Sequence, residues 1–520
     1  MANTEERPKL IVGVDFGTTF SGVAWGLEDC PDDIELIPIW PGGGNITNQK
    51  VPTLCSYEGN CMKWGHLTDQ SSHPSNEHRL IQGVKLLLDE SQKFRYVPAT
   101  ESQRIIKELS KTPVDVAGDY LQKLVAHARE VLRCRFGCAL QTMDLEYILT
   151  VPAGWSDKAK YLTIQAAHRA GIPPASLRLL SEPEAAAVCA IRTIQPKTIS
   201  QGDCLVVCDA GGGTADIITH RVKQTDPLRV KESTKGTGAV CGSVMLDERF
   251  DALIKDIIEK HYIGPLDDDD MCEPGYWIPV PGVSGILNVE LSEGHLYLDS
   301  TFKGSLIKSH YAIILVGGLG AWGYLFKRLQ AASGGIQVMQ PPNTWSAVAR
   351  GAVIRGQEGN QVESRIARCS YGVRTAIKCD PSKHPSVQNL YLCPYEEVWK
   401  IGNRVTWYIH KGTSLAESEL IRMSFYRVVG IDTPMIFHEK LMFCQKAAAP
   451  KVMDFNVVQL CELEADLRRI PKELFPKKAN SRGTQFYYIN FEFVLTPASA
   501  SLLFDMQFNG VSYGSVKSVY

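Results

Sequence analysis

Two short segments of this sequence repeat one another, and that repetition limits the fold more than any other feature. Asp15-Phe-Gly17-Thr18-Thr19 follows the apolar run Leu10–Val14, and Asp209-Ala-Gly211-Gly212-Gly213-Thr214 follows Cys204–Cys208. Each segment sets an acid at the end of a buried strand, then glycine, then threonine. Each leads into a returning strand, Gly22–Trp25 in one case and Ile217–Val222 in the other. One such turn alone reads as a plain hairpin. Two with matching acids read as an internal duplication, with two α/β lobes of the same plan facing each other.

The residue types in these turns point to phosphate. Glycine lets successive backbone N–H groups converge on one point and lets an anion approach closely. Threonine hydroxyls add donors. A carboxylate at the end of a buried strand is costly unless a cation or a ring of donors faces it. One such acid from each lobe suits a hydrated Mg²⁺ held between the lobes and bound to phosphate oxygens.

The rest of the chain fits the α/β reading. Helical periodicity spans Val116–Arg135, and Leu145–Val151 reads as a strand ended by Pro152. Ser156 can cap a helix running to about Ala170, which Gly171 ends. Glu182-Pro183 opens an alanine-rich helix, Asp247–His261 reads as another, and Trp345–Ile354 as a small-residue helix. Ala312–Val316 reads as a buried strand closed by Gly317-Gly318. Pro41–Asp89 reads as loops lying back over the first lobe. Beyond the polar stretch Glu358–Glu363 the chain turns β-rich, with strands expected at Tyr371–Ala376, Val405–His410, Gln485–Leu495 and Leu502–Asn509. One helix, Leu460–Arg469, is expected among them, stopped by Pro471.

A third glycine-rich turn is a decoy. Gly318-Leu-Gly320-Ala-Trp-Gly323 matches the dinucleotide fingerprint Gly-x-Gly-x-x-Gly, but no acid for a ribose follows before Glu358. No Gly-x-x-x-x-Gly-Lys-Ser/Thr occurs either. The net charge of −2 gives no electrostatic case for nucleic acid or an acidic membrane surface. Fifteen dispersed cysteines and twelve histidines form no Cys-x-x-Cys pair or zinc pattern and fit reduced thiols. With no apolar signal core at Met1–Pro8 and no apolar run near 18 residues, the expectation is a soluble, cytoplasmic protein.

Gly13-Val-Asp-Phe-Gly-Thr-Thr-Phe-Ser21, Val151-Pro-Ala153, Glu182-Pro-Glu-Ala-Ala-Ala187, the Asp209–Asp216 segment and Leu315-Val-Gly-Gly318 resemble the signatures of the heat-shock seventy-kilodalton chaperones, in that family's order. Lys85-Leu-Leu-Leu-Asp89, Cys241-Gly-Ser243, Trp407–Gly412 and Leu463–Leu467 are most similar to its divergent branch, common in fungi and also found in animals. The resemblance implies a duplicated actin-like (ribonuclease H-like) ATPase core over 9–358, after a disordered N-terminus at 1–8. A β-rich C-terminal domain at 365–520 would follow. It implies ATP or ADP as ligand with Mg²⁺. Asp15 and Asp209 would hold the metal's water shell. Gly17, Thr18 and Thr19 would cradle the phosphates opposite Gly211, Gly212, Gly213 and Thr214. Lys85, Glu182, Asp209 and Thr214 would form the catalytic set, with Glu182 helping to position the attacking water or the metal shell. Gly242, Gly317 and Gly318 would approach the ribose and adenine side.

The sequence departs from the family between His261 and Val316. There the second lobe is short, at about 262–311, and holds the acidic run Asp267–Asp270, the proline-rich Pro274–Pro281 and a strand-like Ile286–Leu298. The charged helices that clamp adenine in the family are missing from that stretch. A leucine-rich interdomain linker near Asn360 is also absent, and a helical lid is not expected. The expected function is an ATP-binding, chaperone-like protein with slow hydrolysis coupled to binding of a client or partner protein, without nucleic acid or membrane partners. The alternatives are a nucleotide-regulated interaction module with little turnover and, more remotely, a sugar kinase of the same fold.

Overall fold

The computed structural model describes residues 7–44, 46–59, 61–68, 79–90, 97–194, 199–261, 311–380, 382 and 388–519. The stretch 262–310, with its acidic run, its proline-rich segment and the expected Ile286–Leu298 strand, lies outside them.

The first lobe is built on β1 (Lys9–Asp15), β2 (Phe20–Leu27), β3 (Glu35–Leu36), β4 (Asp144–Val151) and β5 (Leu177–Ser181), in the order β3-β2-β1-β4-β5. The second uses β6 (Cys204–Ala210), β7 (Ala215–Thr225), β8 (Leu228–Ala239), β9 (Tyr311–Val316) and β10 (Gln337–Met339), in the order β8-β7-β6-β9-β10. The two orders are the same. In each lobe the first strand pairs antiparallel with its hairpin partner and parallel with the strand on its other side. Asp15 faces Gly22 across the first hairpin, and Asp209 faces Asp216 across the second. The expected duplication is therefore present strand by strand.

Seven helices are described: α1 (Val97–Glu108), α2 (Pro113–Phe136), α3 (Asp157–Arg169), α4 (Glu182–Thr193), α5 (Ser243–His261), α6 (Gly323–Ala332) and α7 (Ala347–Glu358). Their ends follow local chemistry. Thr112 and Asp115 form a reciprocal capping box at the start of α2, and Ser156 accepts from the Ala159 N–H at the start of α3.

Helices α4 and α7 join the lobes. They share one buried cluster with Ile11 and Ile148 of the first lobe and Leu205, Val207, Ile314 and Val316 of the second. They cross closely because the crossing residues are small: a Cβ on Gly351 of α7 would lie 1.8 Å from the Ala185 carbonyl oxygen of α4. Similarly, α7 lies flat on β1, where a Cβ on Gly13 would lie 2.5 Å from the Ala349 carbonyl oxygen.

Beyond α7 the chain does not drift free. β11 (Val362–Ile366) adds directly to the second lobe's sheet, parallel to β8, and β15 (Ser414–Ala416) pairs with β11. The β-rich region then forms two sheets. One contains β12 (Ser370–Lys378), β13 (Leu390–Leu392), β14 (Trp399–Ile409), β17 (Ile436–Cys444), β18 (Val457–Asp466) and β22 (Lys517–Val519), in the order β13-β14-β12-β17-β18-β22. The other runs β16 (Ile421–Gly430), β19 (Gln485–Pro497), β20 (Leu502–Phe508) and β21 (Val511–Ser515). Leu441 and Leu463 from the first meet Phe491 and Phe493 from the second in a common core. The hairpin at Asn509-Gly510 has positive φ at both residues, 49° and 77°, as a type I′ turn requires.

Two expectations need correction. Leu460–Arg469 is not a helix. Residues Val457–Asp466 form β18, and only Leu467–Arg469 make a short 3₁₀ turn. Leucine, glutamate and alanine favour helix locally, but Cys461, Leu463 and Ala465 alternate into the sandwich core while β17 and β22 take the backbone hydrogen bonds. Pro41–Asp89 is more than loops: Leu54–Glu58, Cys61–Trp64 and Ile81–Gln82 form a small antiparallel sheet over the first lobe.

Gly351→Ala tests the helix crossing. Alanine ordinarily favours a helix interior by about 1 kcal/mol over glycine. Here the new methyl collides with backbone, so a net loss of roughly 1–3 kcal/mol is expected. Chemical denaturation of the variant measures it, and a stabilised variant would contradict the close crossing.

Candidate functional site

The duplicated turns meet at the cleft. A Cβ on Gly212 would lie 2.2 Å from the Thr19 Oγ1, and one on Gly213 would lie 2.6 Å from the Thr18 Oγ1. The phosphate-type turn of one lobe thus faces that of the other at contact distance, and only glycine leaves the room. Gly17 makes its own turn possible, since a Cβ there would strike the Phe20 carbonyl oxygen at 2.0 Å. Gly211 closes the second turn by donating to the Thr214 carbonyl at 2.9 Å.

The acids converge at the same place. Asp15 and Asp209 end their strands buried, Glu182 begins α4, and Asp216 faces Asp209 across the hairpin. Burial, then the charges of Asp216 and Asp15, push the Asp209 carboxyl up to about 7. Burial pushes Glu182 up to about 8, against the opposing pull of Lys85. Lys85, buried beside the Trp155 ring, is ion-paired with Glu182. Asp216 is raised by burial, but the Thr214 hydroxyl and the Gly154 N–H bond to it. Asp209 has no hydrogen-bond or ion-pair partner among the described residues.

The structure places the remaining expected residues as follows. Gly317 adopts a φ of 91° directly behind the acid, where a Cβ would lie 2.4 Å from the Asp209 Oδ1. A Cβ on Gly318 would lie 3.5 Å from the Trp345 indole. Gly242 packs against the second turn itself, where a Cβ would meet the Gly212 carbonyl oxygen at 2.1 Å. It brings the N-terminus of α5 onto that turn: Ser243 and Val244 donate to the Gly211 and Gly212 carbonyls at 3.2 and 3.0 Å.

Two features escape motif reading. Lys50 Nζ lies 2.6 Å from the Asp15 Oδ2, both groups buried. No motif marks this lysine. Phe20 reaches across the cleft to pack edge-on against Trp345 of the second lobe, with centroids 5.9 Å apart. The second threonine-aromatic step of the turn, Thr19-Phe20, was the only available signal.

The donor set fits a hydrated divalent ion. Four acids share the cleft with two lysines, so ionisation leaves excess negative charge there. No group of three or more His, Cys, Asp or Glu side chains among the described residues could hold a metal by itself. Water and phosphate oxygens would complete such a shell.

The raised carboxyls make a pH-dependent stability. A carboxyl whose folded value lies above its ordinary value stabilises the fold while protonated, and that contribution is lost as pH rises through the folded value. For Asp209 the window runs from about 4 up to about 7. Without metal or nucleotide, the protein should lose stability as pH rises from 5 to 8. Asp209→Asn should flatten that fall by roughly 3 kcal/mol. Melting temperature against pH for both proteins reads the difference, and parallel curves would exclude Asp209 as its source.

Known proteins are similar to this chain in sequence. A family model described as Hsp70 protein matches residues 82–269, and one described as a domain of unknown function (DUF8568) matches 365–518. Heat shock 70 kDa protein 12A of Homo sapiens is 23% identical, over 80% of this chain and 79% of its own. Heat shock 70 kDa protein 12B of Homo sapiens is also 23% identical, over 72% of each chain. The chaperone protein HscA homolog of Neisseria meningitidis serogroup B is 30% identical over 52% of this chain and 41% of its own. The Hsp70 match over residues 82–269, these relatives and the duplicated actin-like core beneath a β-rich C-terminal region make the chain Hsp70-like.

Proposed function

We propose that this protein binds ATP or ADP with Mg²⁺ in the interlobe cleft and hydrolyses ATP slowly, coupled to protein binding by the C-terminal sandwich. The observation that carries the reading is the contact of Thr18 and Thr19 with Gly213 and Gly212, with the acids Asp15 and Asp209 at the two strand ends. A cytoplasmic setting belongs to the same reading. Among the described residues, no helix is long and apolar enough to cross a membrane.

The residue roles follow from position. Asp209, buried and without a protein partner among the described residues, would hold the metal's water shell, together with Asp15. The turns Gly17–Thr19 and Gly211–Thr214 would direct N–H and hydroxyl groups at the β- and γ-phosphates. Glu182 would position the attacking water, with Lys85 beside it as a fixed positive charge. Gly317 and Gly318 would give the ribose and base room. Bound Mg²⁺ would neutralise charge on the phosphate oxygens, where positioning and electrostatics dominate phosphoryl transfer.

In the C-terminal region, the edge strand β13 exposes Leu390, Tyr391 and Leu392, and Trp399 is exposed on its neighbour β14. An edge with unpaired backbone groups and apolar side chains suits an extended peptide added as a further strand.

Calorimetry on the full chain tests the cleft. ADP should bind, Mg²⁺ should tighten binding, and Asp209→Asn should weaken the Mg²⁺-dependent affinity by roughly 1–3 kcal/mol. Equal affinities would remove Asp209 from the site. Phosphate release from ATP separates slow turnover from binding alone. Fluorescence anisotropy with a labelled, extended apolar peptide tests the sandwich. Tyr391→Lys should weaken peptide binding about tenfold, the scale of one interface aromatic. A full chain that ignores such peptides in every nucleotide state would make the sandwich a packing unit only.

A further inference from the structure

Lys50 stands outside every motif, yet it is placed with care. It immediately precedes Val51–Pro52, which pairs with the start of β2 through Val51↔Ser21 and Pro52↔Phe20. Its aliphatic stem then runs over Gly22, where a Cβ would lie 3.1 Å from Lys50 Cγ and 3.6 Å from Cε. Gly22 is the cross-strand neighbour of Asp15. A Cβ at Gly22 would press on this stem, and the glycine leaves it room to carry the ammonium to the strand-end acid at 2.6 Å.

The ammonium is buried with its hydrogen bonding incomplete. An ammonium carries three donors. Asp15 takes one, and no other acceptor among the described residues bonds to Lys50. A buried charge pair with spare donors is poorly compensated by its partner alone. Asp15, which holds the ammonium, leads directly into the Gly17–Thr19 turn, whose residue types suit an oxyanion. Lys85, the other buried lysine of the cleft, is committed to Glu182.

Resting on the nucleotide reading above, we propose that Lys50 is a phosphate-contacting residue, a tethered cation that carries part of the charge neutralisation otherwise left to the metal. Its spare donors bind a phosphate oxygen of the nucleotide while Asp15 keeps it in place. The nucleotide therefore retains affinity when the divalent ion is removed.

The test is ADP binding by calorimetry to the full chain, in excess Mg²⁺ and in EDTA, for wild type, Lys50→Met and Lys50→Arg. Wild type should still bind ADP in EDTA. Lys50→Met should lower that metal-free affinity about tenfold or more, the effect of one charged hydrogen bond. Lys50→Arg should stay within about threefold of wild type, because charge and donors persist. If Lys50→Met does not melt cooperatively, Lys50→Met combined with Asp15→Asn removes both halves of the buried pair and should show the same metal-free loss. Metal-free affinity equal in wild type and Lys50→Met overturns the proposal, as does wild type that binds ADP only with Mg²⁺. Both results leave the nucleotide site standing. No ADP binding by wild type under either condition overturns the site and the lysine together.

Discussion

The separation of the two lobes is set by two helices that touch backbone to backbone. Ala185 and Gly351 are small enough for α4 and α7 to cross without an intervening side-chain layer, and Gly13 lets α7 rest on β1. Everything in the cleft inherits this spacing. Strands β1 and β6 are carried by sheets on opposite sides of the helix pair, so the crossing distance becomes the distance between their acidic ends. A larger residue at the crossing would pry the lobes apart at the seam and displace both turns. Close packing transmits such displacements because interiors have little free volume to absorb them.

The cleft concentrates charge that the fold alone does not settle. Each lysine pairs with one acid, Lys50 with Asp15 and Lys85 with Glu182. The symmetry of the lobes is therefore broken: the first lobe's acid has a cation, and the second lobe's acid does not. A buried acid outside the cleft shows the contrast. Glu184, only two residues after Glu182, binds Arg365 and Ser499 at 2.6 Å each. Burial opposes its ionised form, yet Arg365 and Arg355 hold its carboxyl below the ordinary range. One turn of α4 thus carries an acid held ionised at the domain junction and one that burial pushes toward its neutral form in the cleft.

The geometry of the cleft is legible in the sequence where the constraint is local. A turn that must admit an anion needs glycine and hydroxyl residues at fixed offsets, so the Asp15 and Asp209 segments announce themselves. The Asn509-Gly510 hairpin is visible for the same reason, since its backbone demands positive φ. Lys50 was not legible, because its meaning depends on Val51 pairing with Ser21 and on the open path over Gly22. The strand at Val457–Asp466 was misread because its composition favours helix and only its neighbours decide otherwise. The strand β11 was hidden in a polar stretch that resembled a boundary, and its partner β8 lies more than a hundred residues earlier.

That strand changes what the chain between the two regions can do. Between the end of α7 at Glu358 and the start of β11 at Val362 there are only three residues, and the Gln361 carbonyl already accepts from the Val230 N–H. A flexible tether holds two modules at an effective concentration set by its length, and they meet by diffusive search. Here there is no slack to search with. The sandwich starts as a continuation of the second lobe's sheet, so separating the two means first unzipping backbone hydrogen bonds rather than swinging on a leash.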